Sequence, residues 1–143
     1  MGYGYGPIPN GIQKNVAAPG GTASTTLVMA GLAAAITPAV IGRVLLIVSG
    51  AAASDTTNDG VRVQLSFGTN SAPTNGAALT GTQTGSIWVE SQDLLGADKM
   101  GFCLQSLVLT MLVGTTYWLD VAFSALTAGT ASISDVTISA LEL

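Results

Sequence analysis

The sequence predicts an all-β protein, an antiparallel jelly-roll sandwich of about eight strands behind an extended N-terminal arm. Three observations predict it. Residues 114–126 and 129–143 read as two long strands joined by a short turn, carrying apolar residues and hydroxyls and almost no charge. From Thr22 onward, short apolar runs alternate with turn signals built from Gly, Pro, Asn and Asp. No segment holds helical periodicity for a useful length, since the Ala-rich stretch 30–35 is confined between Gly31 and Pro38. A chain of 143 residues makes one domain, here 22–143, with residues 1–21 as a separate arm.

The arm opens MGYGYGPIPNG. Alternating Gly and Tyr, then Pro7 and Pro9, cannot hold a helix and add nothing periodic to a core. Two readings stand: a disordered tail, or an extended arm that docks on a neighbour through Tyr3 and Tyr5, with Pro7, Ile8 and Pro9 beside them. Thr22–Met29 reads as a β-rich run ended by Gly31; Leu32–Thr37 resumes until Pro38 stops the ladder. Arg43–Ser49 is apolar on both strand faces and is expected to be covered on both sides. Ala51–Gly60 is a polar loop ending in the turn signal Asp59-Gly60. Val61–Phe67 is the cleanest strand: Val61, Val63, Leu65 and Phe67 share one face, while Arg62, Gln64 and Ser66 share a wet one. A long loop, Gly68–Gly85, leads to a short strand with Trp88. Met100–Leu112 is one bent strand or a pair, again apolar on both faces, and strands 115–126 and 130–142 close the domain.

Charged residues are 8% of the chain, against roughly 25% in an ordinary soluble domain, so its surface is expected to be covered by partners. The competing reading is a monomer with a surface of Thr, Ser, Asn and Gln. Net charge is −4, and the four basic residues (Lys14, Arg43, Arg62 and Lys99) are scattered, so clustered phosphate neutralisation, and with it nucleic acid binding, is not expected. Histidine is absent, which removes the commonest general base and metal ligand. Cys103 stands alone between Phe102 and Leu104 and reads as a buried thiol acting as a small hydrophobe. Among the carboxylates, Glu90 and Asp93 read as a solvated loop. Asp55 and Asp59 match no calcium-loop spacing. No enzyme, cofactor or metal site is expected. Leu27–Val48 is apolar but is broken by Gly31, Pro38, Gly42 and Arg43, so no membrane span is expected, and no export signal is visible.

In 116–125, Tyr117, Leu119, Val121 and Phe123 point one way, and Trp118, Asp120, Ala122 and Ser124 the other. The first set is core. Trp118 is then a partly exposed aromatic or an anchor in a subunit contact. With strands 43–49 and 102–112 apolar on both faces, a second covered surface is expected, and Trp118, Leu46, Leu107 and Leu109 are the candidate subunit-interface residues. A homotrimer supplies such a surface along its threefold axis.

Four phrases, Gly42–Gly50 (GRVLLIVSG), Gly60–Gly68 (GVRVQLSFG), Gly114–Phe123 (GTTYWLDVAF) and Ile133–Leu143 (ISDVTISALEL), together resemble small structural proteins of tailed bacteriophages. These are similar to tumour-necrosis-factor-like jelly rolls that form trimers. The resemblance covers residues 22 to 143 and carries over no functional residue. It implies a virion protein made in the host cytoplasm: a capsid decoration (cement) protein, a head fibre, or a knob of a tail fibre. Only some twenty residues precede the domain, which favours a decoration trimer on the capsid exterior, with itself and the major capsid protein as partners. The runner-up is a receptor- or glycan-binding knob using the Gly68–Gly85 loop and Trp88.

Overall fold

A computed structural model describes residues 6–91 and 98–143, and it is all-β. Nine strands are described: β1 (Gly11–Val16), β2 (Val28–Met29), β3 (Ala34–Ile36), β4 (Val44–Ser54), β5 (Gly60–Gly68), β6 (Thr82–Ser91), β7 (Met100–Val108), β8 (Tyr117–Ala125) and β9 (Ala131–Glu142). They form two antiparallel sheets, a β-sandwich of the jelly-roll kind. One has the order β1-β9-β4-β7; the other has β2-β8-β5-β6, with β3 also paired to β8. The core lies between them. Val44, Leu46, Val48, Ile133 and Ile138 from the first sheet meet Val63, Leu65, Leu119, Val121 and Phe123 from the second, all essentially without solvent exposure. The alternation along Val61–Phe67 and Tyr117–Phe123 puts the expected faces inward, because only a period of two keeps one set of side chains on one side of a pleated strand.

Several elements differ from the sequence reading. Gly11–Val16, inside the segment expected to be an arm with no part in a core, is an edge strand paired with β9 from Gly11↔Leu141 to Val16↔Val136. Its Ile12 and Val16 pack against the core, and the Lys14 ammonium donates to the carbonyls of Leu32 and Ala33 at 2.9 and 3.0 Å. The run 22–37 yields only the short β2 and β3. Between them the buried Asp120 carboxylate accepts from the N–H groups of Gly31 and Leu32 at 2.9 and 3.0 Å, and Gly31 and Ala33 take left-handed backbone angles, so the chain bends instead of running on. β4 continues through Ala51–Ser54, expected to be loop, by pairing with Ser134–Ala131 beyond a bulge where Asp135 has φ 53°. β6 starts at Thr82, three residues before the expected loop ends. Gly85, with φ 72°, lies inside it at a second irregularity in the ladder. The apolar stretch Leu27–Val48 is laid out as β2, β3 and the start of β4. Among the described residues no helix is long and apolar enough to cross a membrane.

The two outer faces are treated differently. On β8 the outward residues Trp118, Asp120, Ala122 and Ser124 are all buried, because residues 22–31 and 69–81 fold back over them. Trp118 is 5% exposed. It clusters with Met29 and Ala122 under Leu27 and Ala77, and its indole N–H donates to the Thr69 carbonyl at 2.9 Å. Gly81 is required beside it, since a Cβ there would collide with the indole ring. Trp118 is therefore an anchor within the protomer, not on its surface. By contrast, β4 and β7 are covered on one face only: Leu45 is half-buried, and Ile47 and Leu107 are exposed. Cys103 also lies on that open face and is exposed, contrary to the buried thiol expected.

Truncating Trp118→Ala should destabilise the fold by about 3–5 kcal/mol, the usual cost of emptying a large aromatic site. Urea unfolding at pH 7 checks this. A loss within the ~0.5 kcal/mol of an ordinary surface substitution would mean that the 69–81 segment does not hold the indole.

Candidate interaction surface

Of the residues expected at a subunit contact, Leu46 is fully buried in the core and Trp118 lies beneath its own covering segment, so neither side chain is presented outward. Leu107 and Leu109 are exposed, Leu109 at 61%. Of the arm residues, Tyr3 and Tyr5 lie outside the described residues, whereas Pro7, Ile8 and Pro9 are exposed, Ile8 at 76%. Trp88 is half-buried against Phe102, with ring centroids 5.7 Å apart, and does not join the 69–81 segment.

Strand register gathers more apolar side chains around Leu107 and Leu109 than the sequence reading singled out. Leu45 is opposite Leu107 on one side and Leu141 on the other, so three leucines form one row across β9, β4 and β7. Leu143, whose N–H donates to the Arg43 carbonyl, and Leu109 continue it toward the end of the sandwich; Ile47 begins the next row between Gln105 and Ser139. At that end, loops 38–42 and 109–116 are tied together by the N–H of Met111 to the Gly42 carbonyl and that of Gly114 to the Pro38 carbonyl. They present Val40, Ile41, Leu112 and Val113, all exposed. Apart from the half-buried Leu45, each of these large apolar residues is between 36% and 65% exposed, and their clustering is what distinguishes them from the single surface hydrophobes of an ordinary monomer. Arg43 is the one charged side chain on these rows. Toward the other end the face turns polar, through Ser49, Cys103 and Thr137, and ends at the exposed Lys99–Asp135 ion pair.

Glu142 shapes this end. As an inward position of β9 it sends its carboxylate beneath the 39–42 loop, where five backbone N–H groups converge. Oε1 accepts from Val40, Ile41 and Gly42 at 2.7, 2.7 and 3.2 Å, and Oε2 from Ala39 and Asn10 at 2.8 and 3.1 Å. Burial alone would raise this carboxyl. The hydrogen bonds from Ala39, Ile41, Val40 and Asn10 outweigh it and hold Glu142 at about 2. Gly42 closes the loop with φ 69°, and any Cβ there would run into the Met111 carbonyl. With its backbone turned in on the carboxylate, the loop points Val40 and Ile41 outward.

Three further carboxylates, Asp55, Asp59 and Asp120, also accept from backbone N–H groups. Asp59 is buried, which raises it, but the N–H groups of Thr127, Gly60 and Ala128 and the Thr127 hydroxyl draw it below the usual range. The Thr130 N–H lowers Asp55. Both therefore staple the β8–β9 turn to the loop before β5, with donors standing where a cation's place would be. Asp120 moves the other way, because burial outweighs the N–H groups of Leu32, Gly31 and Val121. Asp93 lies outside the described residues. Among the described residues no three His, Cys, Asp or Glu side chains are grouped to hold a metal ion.

No family model matches the chain, and no curated protein matches it. Among solved structures, the chain is similar to one in the structure of infectious bursal disease virus Gx strain. The TM-score is 0.54 and the identity 10%, covering 94% of this chain and 32% of that one. This chain thus spans about a third of the viral chain's length, and the likeness is one of fold.

Glu142→Gln tests the N–H cluster through pH. A carboxyl at about 2 when folded and 4.5 when unfolded stabilises fully above 4.5, and that stability is lost as pH falls toward 2. The wild-type advantage over Glu142→Gln should be greatest at pH 7 and narrow between pH 4.5 and 2 in urea unfolding. A gap of constant size across that range would show that the cluster does not hold the ionised form.

Proposed function

We propose that the chain is a non-enzymatic virion structural protein, a trimeric capsid decoration (cement) protein that binds and stabilises a viral head shell. The observation that carries this reading is the open face of β9, β4 and β7. Hydrophobic attraction grows with apolar area removed from water, and a face of this size with a single charge invites self-association. In the proposed trimer a closed threefold would cover that face, with Leu107, Leu109, Leu141 and Leu143 toward the axis. The fold's likeness to a chain from a virus structure supports a virion as the setting. The exposed Pro7-Ile8-Pro9 segment leaves the sandwich beside Asn10 and is suited to reach a neighbouring capsid subunit.

The oligomer is tested first. Light scattering of the purified chain should give about 43 kDa, three times 14.3 kDa, and Leu107→Glu should return it to a folded monomer. A monomeric wild type overturns the trimer. For the shell, quantitative mass spectrometry of purified virions should find hundreds of copies in simple ratio to the major capsid protein; a few tens or fewer would place the chain in a fibre or tail tip instead. Removing residues 1–9, which spares β1 and the Asn10 N–H, should leave a trimer that no longer binds shells. Unchanged binding would take the arm out of the reading.

A further inference from the structure

We propose that the cleft between the end of β5 and the start of β6 binds an uncharged carbohydrate of one or two rings. Its volume is about 530 Å³, inside the ~300–1,000 Å³ of ordinary small-molecule sites. The floor is made of the rims of three largely buried rings: Phe67 and Tyr117, edge to face with centroids 6.0 Å apart and each 8% exposed, and the Trp118 indole. Thr69, Asn70 and Ser71 form one wall, and Thr80 and Thr82 flank Gly81 in the other.

Three properties select the ligand class. First, no charged side chain lines the cleft, so a phosphate, carboxylate or ammonium entering it would shed water without gaining a counter-charge. Second, the walls carry four hydroxyls and the Asn70 amide, and none of these side chains spends itself on a hydrogen bond within the described residues. They stand as donors and acceptors over an apolar floor, the combination that a sugar's hydroxyl rim and C–H face require. Third, both walls are held in place. The Trp118 indole N–H fixes the Thr69 carbonyl, and the Gln83 amide donates to the carbonyls of Gly81 and Thr80 at 3.0 and 3.3 Å. A site that is already formed loses little ordering entropy on binding. The cleft belongs to the sheet opposite the open apolar face, so this inference does not depend on the assembly reading.

The two tryptophans give an internal control, because Trp118 borders the cleft and Trp88 packs on Phe102 elsewhere. Amide–proton NMR titrations of the full chain would use maltose, lactose, cellobiose and chitobiose, with glucose 6-phosphate as the charged comparison. At least one neutral disaccharide should move the Trp118 indole signal saturably in the millimolar range, leaving Trp88 and glucose 6-phosphate silent. Asn70→Gly, which keeps the left-handed backbone at φ 68°, and Thr82→Val should each weaken that binding about tenfold without moving the Trp88 signal. No shift with any of the four sugars at 100 mM overturns the proposal. So does an equal response of both indoles, or unchanged binding by both variants.

Discussion

Five backbone N–H groups converging on the Glu142 carboxylate join parts of the chain that lie far apart in the sequence. The donors come from Asn10 before β1, from the 39–42 loop before β4, and the acceptor from the end of β9. These strands are neighbours in the order β1-β9-β4, so one charge ties three of the first sheet's four strands at one end. A buried carboxylate is costly when unpaired. Here its solvation is replaced by fixed amide dipoles, and the loop that supplies them has lost the freedom to turn Val40 and Ile41 inward. The apolar end of the sandwich is thus the outer side of a polar arrangement within it.

The rest of the molecule follows from an unequal treatment of the two sheets. In the second sheet the outer face of β8 is roofed by its own chain, with Asp120 pinning Gly31 and Leu32, and Trp118 pinning Thr69. At one margin of that roof the cleft opens between Ser71 and Thr80. The sheet containing β4 has no roof. Its outer residues are apolar at one end and small and polar at the other.

What was legible in the sequence was periodicity. Val61–Phe67 and Tyr117–Phe123 alternate, so these strands and the sandwich are recovered from residue order. The two closing strands, read as joined by a short turn, lie in opposite sheets. The turn read at Asp59-Gly60 falls at Thr56–Asp59, with Gly60 already in β5. Trp118 was misplaced because alternation gives the face of a strand and not what lies over it. Its cover comes from residues 69–81, a segment whose composition reads only as loop. The Glu142 cluster was invisible for a different reason: its five donors are backbone groups with no side-chain signature. β1 carries only Ile12 and Val16 as inward apolar residues, too sparse a pattern to stand out beside Pro7 and Pro9. Leu107 and Leu109, expected at a subunit contact, are exposed. Leu141 and Leu45 join them only through register, which pairs residues almost a hundred positions apart.

Charge scarcity then has a physical reading at the level of the surface. With so few ionic groups in the chain, three of the described carboxylates, Glu142, Asp59 and Asp120, are withdrawn to buried backbone donors. What remains outside gives the apolar end little charge for mutual repulsion. The same withdrawal leaves the cleft walls to hydroxyls and an amide, where an ionic partner finds nothing to pair with. One compositional choice, small neutral residues in place of charges, therefore acts twice. It leaves the open sheet face apolar at one end, and it leaves the walls of the opposite cleft neutral and hydroxyl-rich.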